Sequence, residues 1–146
     1  MEKDFVDCIV LPYKQKSYLF PAVVIAEAIL SHGEYHQNVE NADHLVFLTW
    51  RDHVVPLIPL DLAPLEEVLT QTKIAIINML DLEGKMPPYV ATLAEERPRR
   101  IRIFPQDLYW SDSEHKIAKI KNTENEEEFI LFDLSLFSHY IQERIA

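Results

Sequence analysis

Residues 49–62, TWRDHVVPLIPLDL, contain two apolar runs on either side of the charged triplet Arg51, Asp52 and His53. Short apolar runs separated by a few polar residues are typical of β-hairpins. We therefore expect two strands with the triplet at the turn. The second run contains two prolines, Pro56 and Pro59. Because proline has no N–H to donate to a β-ladder, this strand is expected to be an edge strand or to contain a bulge.

Similar short runs follow one another along the chain and predict a mostly β domain with few short helices. Two helices are expected, one over residues 63–72 and one over residues 135–145, where Ser135 is a possible cap and Phe137, Tyr140 and Ile141 form an apolar stripe. Residues 21–30 fit either a helix or a strand. The predicted strands are residues 5–13, 17–20, 44–50, 54–60, 73–80, 99–104, 116–120 and 128–134.

Composition limits the classes of function. The 146 residues fit a single domain, 1–146, and the formal net charge of −10 disfavours nucleic acid as a partner. With only two glycines, no glycine-rich phosphate loop can be written. No apolar run is long enough to span a membrane, and the first residues do not resemble a signal peptide. We expect a cytoplasmic protein that does not insert into membranes.

Catalytic and metal-binding patterns are weak. His32 and His36 lie four residues apart, with His44 further on, but the surrounding residues indicate a loop, and two such histidines do not make a zinc site. Cys8, the single cysteine, lies in an apolar run where we expect a buried, inert thiol. No serine stands in a G-x-S-x-G motif. We therefore expect no enzyme, no metal and no cofactor.

Two other segments leave alternatives open. The segment RPRRIRIF places Arg100 and Arg102 on one face of a strand; this face is either solvated and paired with carboxylates, or a docking patch for an acidic partner segment. The segment DLYWSD, with Tyr109 and Trp110, fits a small β-barrel ligand-binding protein or enzyme with an aromatic and acidic pocket. The acidic residues 124–128 fit an inhibitor-like or regulatory role.

The Arg51 triplet is the strongest candidate for a partner-binding site. Trp50 and Arg51 are residue types enriched at interface hot spots, and histidines such as His53 can titrate near neutral pH. The alternative is an ordinary turn, with Trp50 in the core and Arg51 solvated. Residue chemistry alone does not separate these two interpretations.

The order of the segments resembles the CheW-like adaptor family of bacterial chemosensory arrays. That family has N-L-R-G-x-x-x-P-V-x-D-L, to which T-W-R-D-H-V-V-P-L-I-P-L is similar, with Arg51 and Pro56 at the arginine and the proline. YLFPAVVIAEAI is similar to y-a-l-P-v-e-x-V-x-E-V-i and places Glu27 at the glutamate. EFILFDLSLF resembles the closing strand and helix. Asp52 replaces the family glycine and Pro59 its aspartate, which points to a divergent auxiliary member, similar to the ChpC-like proteins of type IV pilus systems.

The resemblance implies two small five-stranded β-barrel-like subdomains, without catalytic activity or cofactor. It implies an adaptor that bridges a chemoreceptor cytoplasmic domain and a CheA-type histidine kinase or its CheW-like domain, and that controls type IV pilus (twitching) motility in the auxiliary systems. Arg51 would face the receptor, braced by Trp50. The other expected contacts are Asp52 and His53 at the turn, Val54 and Val55 lining an apolar groove, and Glu27 at its rim.

Overall fold

The computed structural model describes residues 5–29, 46–62, 73–79, 87–114, 116–120 and 127–145. These residues form eleven strands and one α-helix, so the mostly β prediction is confirmed. The strands are β1 (Val6–Tyr13), β2 (Lys16–Pro21), β3 (Ile25–Ile29), β4 (Val46–Trp50), β5 (His53–Leu57), β6 (Lys73–Asn78), β7 (Tyr89–Ala94), β8 (Arg99–Ile103), β9 (Leu108–Trp110), β10 (Ile117–Ile120) and β11 (Glu128–Leu131), and the helix is α1 (Ser135–Ile145).

The strands form two sheets. One has six strands in the order β8-β1-β2-β11-β10-β9, and the other has five in the order β3-β6-β7-β5-β4. Most neighbours are antiparallel, whereas β11 pairs with β2 and β5 pairs with β7 in parallel. The expectation of two small five-stranded, β-barrel-like subdomains is confirmed in outline by these two sheets, one of which has a sixth strand, the three-residue β9.

β1 lies between two hydrophobic cores, because successive side chains of a strand point to opposite faces. Leu11 and Tyr13 belong to the larger core, which also contains the buried hydrophobic residues of β6 and β7. Cys8 and Val10 belong to a smaller core with residues of the six-stranded sheet alone. Burial on both faces explains why the β1 sequence is nearly continuously apolar rather than alternating.

Two hairpins end in two-residue turns that contain no glycine. Lys14 and Gln15, between β1 and β2, have φ of 49° and 66°, and Arg51 and Asp52, between β4 and β5, have φ of 45° and 65°. A two-residue turn with positive φ at both positions matches the right-handed twist of the strands. The predicted hairpin around the Arg51 triplet is therefore present, with the turn at its first two residues.

β5 is not an edge strand, so that prediction is wrong. It lies between β4 and β7, and its register with β4 is continuous. Since a two-residue turn makes its flanking pair hydrogen-bonded, the alternation of the ladder leaves Pro56, opposite Phe47, at a non-hydrogen-bonded site. Pairing with β7 begins only at Leu57. The proline is tolerated because neither neighbour needs its missing N–H.

α1 covers the larger core with its predicted stripe: Phe137, Tyr140 and Ile141 are all buried. Its cap is not Ser135 as expected. The Asp133 carboxylate accepts a hydrogen bond of 2.9 Å from the Ser135 backbone N–H, and Leu136 N–H bonds the Asp133 carbonyl. Asp133 therefore caps the helix, and hydrogen bonds from the Ser135 side chain and the Ser135 backbone N–H lower the pKa of its carboxyl group.

Residues 21–30, left open by the sequence, contain a short 3₁₀ turn at Ala22–Val24 and then β3. The predicted helix over 63–72, the histidines His32, His36 and His44, and residues 124–126 lie outside the described residues. In the described part of the chain, no helix is both long and apolar enough to cross a bilayer.

Candidate functional site

Arg51 occupies the first turn position of the β4–β5 hairpin, and its side chain is 71 % exposed. The two-residue turn projects it beyond the ends of both strands, so the guanidinium is presented to solvent rather than packed in a groove. Asp52 completes the turn and is also exposed. Asp52 adopts the positive φ that favours glycine, and aspartate tolerates this region better than most residues do. Aspartate at this position is therefore compatible with the turn.

Trp50 lies beneath this turn and is almost fully buried, at 8 % exposure. The Tyr89 ring meets it edge-on, with centroids 4.9 Å apart, and the His53 ring stacks on it at 6.2 Å. The Arg51 guanidinium carbon is 5.2 Å from the centroid of the Trp50 ring, within cation–π range. Trp50 is thus a residue of the larger core that packs beneath the hairpin turn.

Glu27 connects the two edge strands of the five-stranded sheet. It lies on β3, just after a register shift between Ile25 and Glu27, whereas Trp50 lies on β4. The Trp50 Nε1–H donates a hydrogen bond to Glu27 Oε2. The same oxygen lies 3.5 Å from Arg51 Nε. One carboxylate thus contacts both the tryptophan and the arginine, and it joins the two edge strands of the sheet.

Tyr89 is a member of this cluster that the sequence analysis missed. It is the first residue of β7, and its ring lies 5.4 Å from the ring of His53. The only local signal is an aromatic residue after Pro87 and Pro88, at the start of the apolar run YVATLA. We define the tip cluster as Glu27, Trp50, Arg51, His53 and Tyr89.

Val54 and Val55 do not line one groove, which corrects the expectation. Val54 is 69 % exposed, whereas Val55 is buried at 1 % in the larger core. Because successive strand residues point to opposite faces, only one of two adjacent valines can face a partner. Val54 remains an accessible apolar residue beside the tip, and Val55 is a core residue.

The surroundings of the aromatic pair on β9 and of Cys8 do not favour a ligand pocket or a reactive thiol. Tyr109 and Trp110 lie on β9, at the edge of the six-stranded sheet, and are 37 % and 40 % exposed rather than enclosed in a pocket. Cys8 is buried, and burial raises the pKa of its thiol, which disfavours the thiolate. Among the residues that the structure describes, no three His, Cys, Asp or Glu side chains are grouped to hold a metal ion.

The architecture is similar to that of a known scaffold. The solved structure of the scaffolding protein TtCheW from Thermoanaerobacter tengcongensis matches with a TM-score of 0.64 and 10 % sequence identity, over 91 % of this chain and 87 % of that one. No protein-family model matches the chain, and no curated protein matches it at a significant level. At this identity the similarity is one of fold, and it covers both sheets. The chain therefore has a CheW-like fold.

Proposed function

We propose that this chain is a non-enzymatic adaptor of a bacterial chemosensory assembly, acting in the cytoplasm as one CheW-like domain over residues 1–146. Its partners are a chemoreceptor cytoplasmic domain and a CheA-type histidine kinase or the CheW-like domain of that kinase. We further propose that it is an auxiliary member of the ChpC type, which modulates the assembly that controls type IV pili and twitching motility.

The observation that carries the proposal is the presentation of Arg51 on a CheW-like fold. Its guanidinium is exposed, held over a buried tryptophan and only loosely paired with Glu27. A guanidinium in this setting can form charge-assisted hydrogen bonds with a partner carboxylate or carbonyl. Val54 would add an apolar contact beside it, and Asp52 and His53 would contribute polar contacts.

The charged residues would orient the partner, whereas buried apolar and aromatic contacts would supply most of the affinity. Glu27 has a double role in this scheme. It would hold Trp50 in place through a hydrogen bond, and it would keep the Arg51 side chain close to the position in which Arg51 contacts the partner. The fold similarity supports the same class of role, because TtCheW is a scaffolding protein.

The test compares wild type with Arg51→Ala in a pull-down from lysate, followed by titration of a purified receptor cytoplasmic domain or CheA-type kinase. Arg51→Ala should weaken binding by more than about 1 kcal/mol and leave the melting temperature nearly unchanged. The matched control is Lys14→Ala, which removes the corresponding residue from the other hairpin turn. It should bind like wild type. Equal binding by Arg51→Ala, or failure of both purified partners to bind wild type, would contradict the proposal.

A further inference from the structure

β8 is a short basic strand on a free sheet edge. In the described part of the chain it pairs with β1 alone, so its other edge has no strand beside it. Pro98 and Pro105 stand close to its two ends and confine the free edge to five residues. Such an edge presents backbone N–H and C=O groups that another chain can pair with.

The charge of this edge is opposite to that of the molecule. Of the six arginines in a chain of net charge −10, four lie within residues 97–102. On β8, Arg100 and Arg102 are exposed on one face, while Ile103 is buried and Ile101 half-buried on the other. The alternation confirms the predicted strand. It places two guanidinium groups, two residues apart, on a strand whose outer edge is not paired in the described part of the chain.

These guanidinium groups are not saturated by the described carboxylates. Arg99 at the start of β8 binds Glu127 through Nη2, at 2.6 and 2.8 Å from the two carboxylate oxygens. By contrast, Arg102 Nε is 3.7 Å from Asp7. No described carboxylate lies within ion-pair distance of Arg100. The strand therefore has capacity for two further carboxylates at alternate positions.

An apolar platform adjoins the carboxyl end of the strand. The rings of Phe5 and Phe104 meet edge-on with centroids 5.9 Å apart, and Phe5 is 42 % exposed. The Arg102 guanidinium carbon is 3.9 Å from the centroid of the Phe5 ring. A partner that supplies a carboxylate to Arg102 would place its next apolar residue against these rings.

We propose that β8 is a docking edge for an extended acidic segment of a partner protein, which adds a strand to the six-stranded sheet. Its carboxylates, at alternate positions, would contact Arg100 and Arg102, and an apolar residue would follow on Phe5 and Phe104. Pairing with β8 of a second copy is disfavoured, because arginines would then face arginines. A nucleic acid is disfavoured because the net charge of −10 repels polyanions at long range. This surface lies on the opposite sheet from Arg51, so the inference does not depend on the proposed function.

The probe is a short fluorescent peptide of alternating glutamate and threonine ending in phenylalanine, titrated by fluorescence anisotropy. We expect saturable binding to the full chain, weakened about tenfold by the double variant Arg100→Gln with Arg102→Gln. Arg97→Gln is the matched control, because Arg97 is exposed but outside β8, and it should bind like wild type. A peptide whose backbone nitrogens are methylated cannot donate ladder hydrogen bonds to β8. It should bind about tenfold more weakly than the parent peptide.

Charge reversal provides the second variant. The double variant Arg100→Glu with Arg102→Glu should no longer bind the glutamate peptide and should instead bind a lysine peptide of the same pattern. A misfolded variant would not show this exchange of specificity. The inference is overturned if the glutamate peptide does not bind wild type, if the double glutamine variant binds it equally well, or if the N-methylated peptide binds unchanged. Preferential binding of an RNA oligonucleotide or of anionic vesicles would also overturn it.

Discussion

The tips of the two hairpins, one in each sheet, have the same local design but differ in how their basic side chains are paired. In each, a buried aromatic residue precedes a two-residue turn with positive φ, and a basic residue opens the turn: Tyr13 and Lys14 in one, Trp50 and Arg51 in the other. In each, the basic group lies over the preceding ring, at 5.5 Å for Lys14 and 5.2 Å for Arg51. The same local design therefore occurs twice.

The two tips differ in how the basic group is satisfied. Lys14 Nζ donates a 2.8 Å hydrogen bond to Asp61, and this bond raises the pKa of Lys14. Arg51 Nε is 3.5 Å from Glu27, whose same oxygen already accepts the Trp50 Nε1–H. The Lys14 tip is internally paired, whereas the Arg51 tip retains hydrogen-bonding capacity for a partner. The two turns are alike in backbone geometry, and the carboxylate supplied by another strand or loop determines how closely each basic group is paired.

The largest expected effect comes from removing the buried rings. Trp50→Ala and Tyr13→Ala should each lower the free energy of unfolding by about 3–5 kcal/mol, because a buried aromatic side chain leaves a cavity. Denaturant unfolding measures both. Only Trp50→Ala should also weaken binding of the proposed partner under conditions where the variant is folded. If both variants lose binding equally, the two tips are not functionally different.

Trp50→Phe keeps most of the ring and removes the donor to Glu27. We expect a loss of about 1–2 kcal/mol in the free energy of unfolding, because a partly buried carboxylate loses a hydrogen bond. A double-mutant cycle with Glu27→Ala, which removes the acceptor, isolates this coupling in denaturant unfolding. A coupling energy near zero would show that Glu27 does not anchor the tip.

Glycine at the second turn position tests the strain of both turns. Gln15→Gly should raise the free energy of unfolding by about 0.5–1 kcal/mol, because glycine adopts positive φ without steric cost. Asp52→Gly should raise it less, since aspartate tolerates this region. Gln142→Gly, on the exposed face of α1, is the control and should lower it by about 1 kcal/mol. A larger gain at Asp52 than at Gln15 would reverse this ranking.

The smallest expected effect is a change in the pKa of Lys14. Asp61→Asn should return the raised pKa of Lys14 towards its ordinary value, measured by NMR of the Nζ and Cε nuclei. Because the pKa is raised in the folded state, the stabilisation from this pair is present below the pKa of an unfolded lysine and is lost as pH rises above about 10. An unchanged Lys14 titration in Asp61→Asn would show that the two groups are not coupled in solution.

Much of the fold follows from local patterns. The polar break at Lys14 and Gln15 predicts the first hairpin, and the arginine–isoleucine alternation predicts β8. The spacing of Phe137, Tyr140 and Ile141 predicts α1. In each case the residues that decide the structure are neighbours in sequence, so the period of burial is visible without the rest of the chain.

The strands that the sequence analysis did not predict correctly share a different cause. β3 could be read as a helix, and β7 was not recognised, because their sequences are apolar on both faces or carry no clear period. β5 was expected at an edge because proline has no N–H, a rule that fails where the ladder does not need that N–H. Whether a strand is central depends on which distant segments pair with it.

The candidate site likewise has a part that local sequence predicts and a part that depends on the pairing of distant strands. The sequence by itself determined that Trp50 and Arg51 stand at a hairpin turn, because the polar triplet interrupts two apolar runs. Only the tertiary structure decided that Glu27 and Tyr89 complete the tip cluster and that Val55 is buried away from it. The reason is that these contacts join β3, β4 and β7, and the pairing of distant strands depends on the whole core rather than on local propensity.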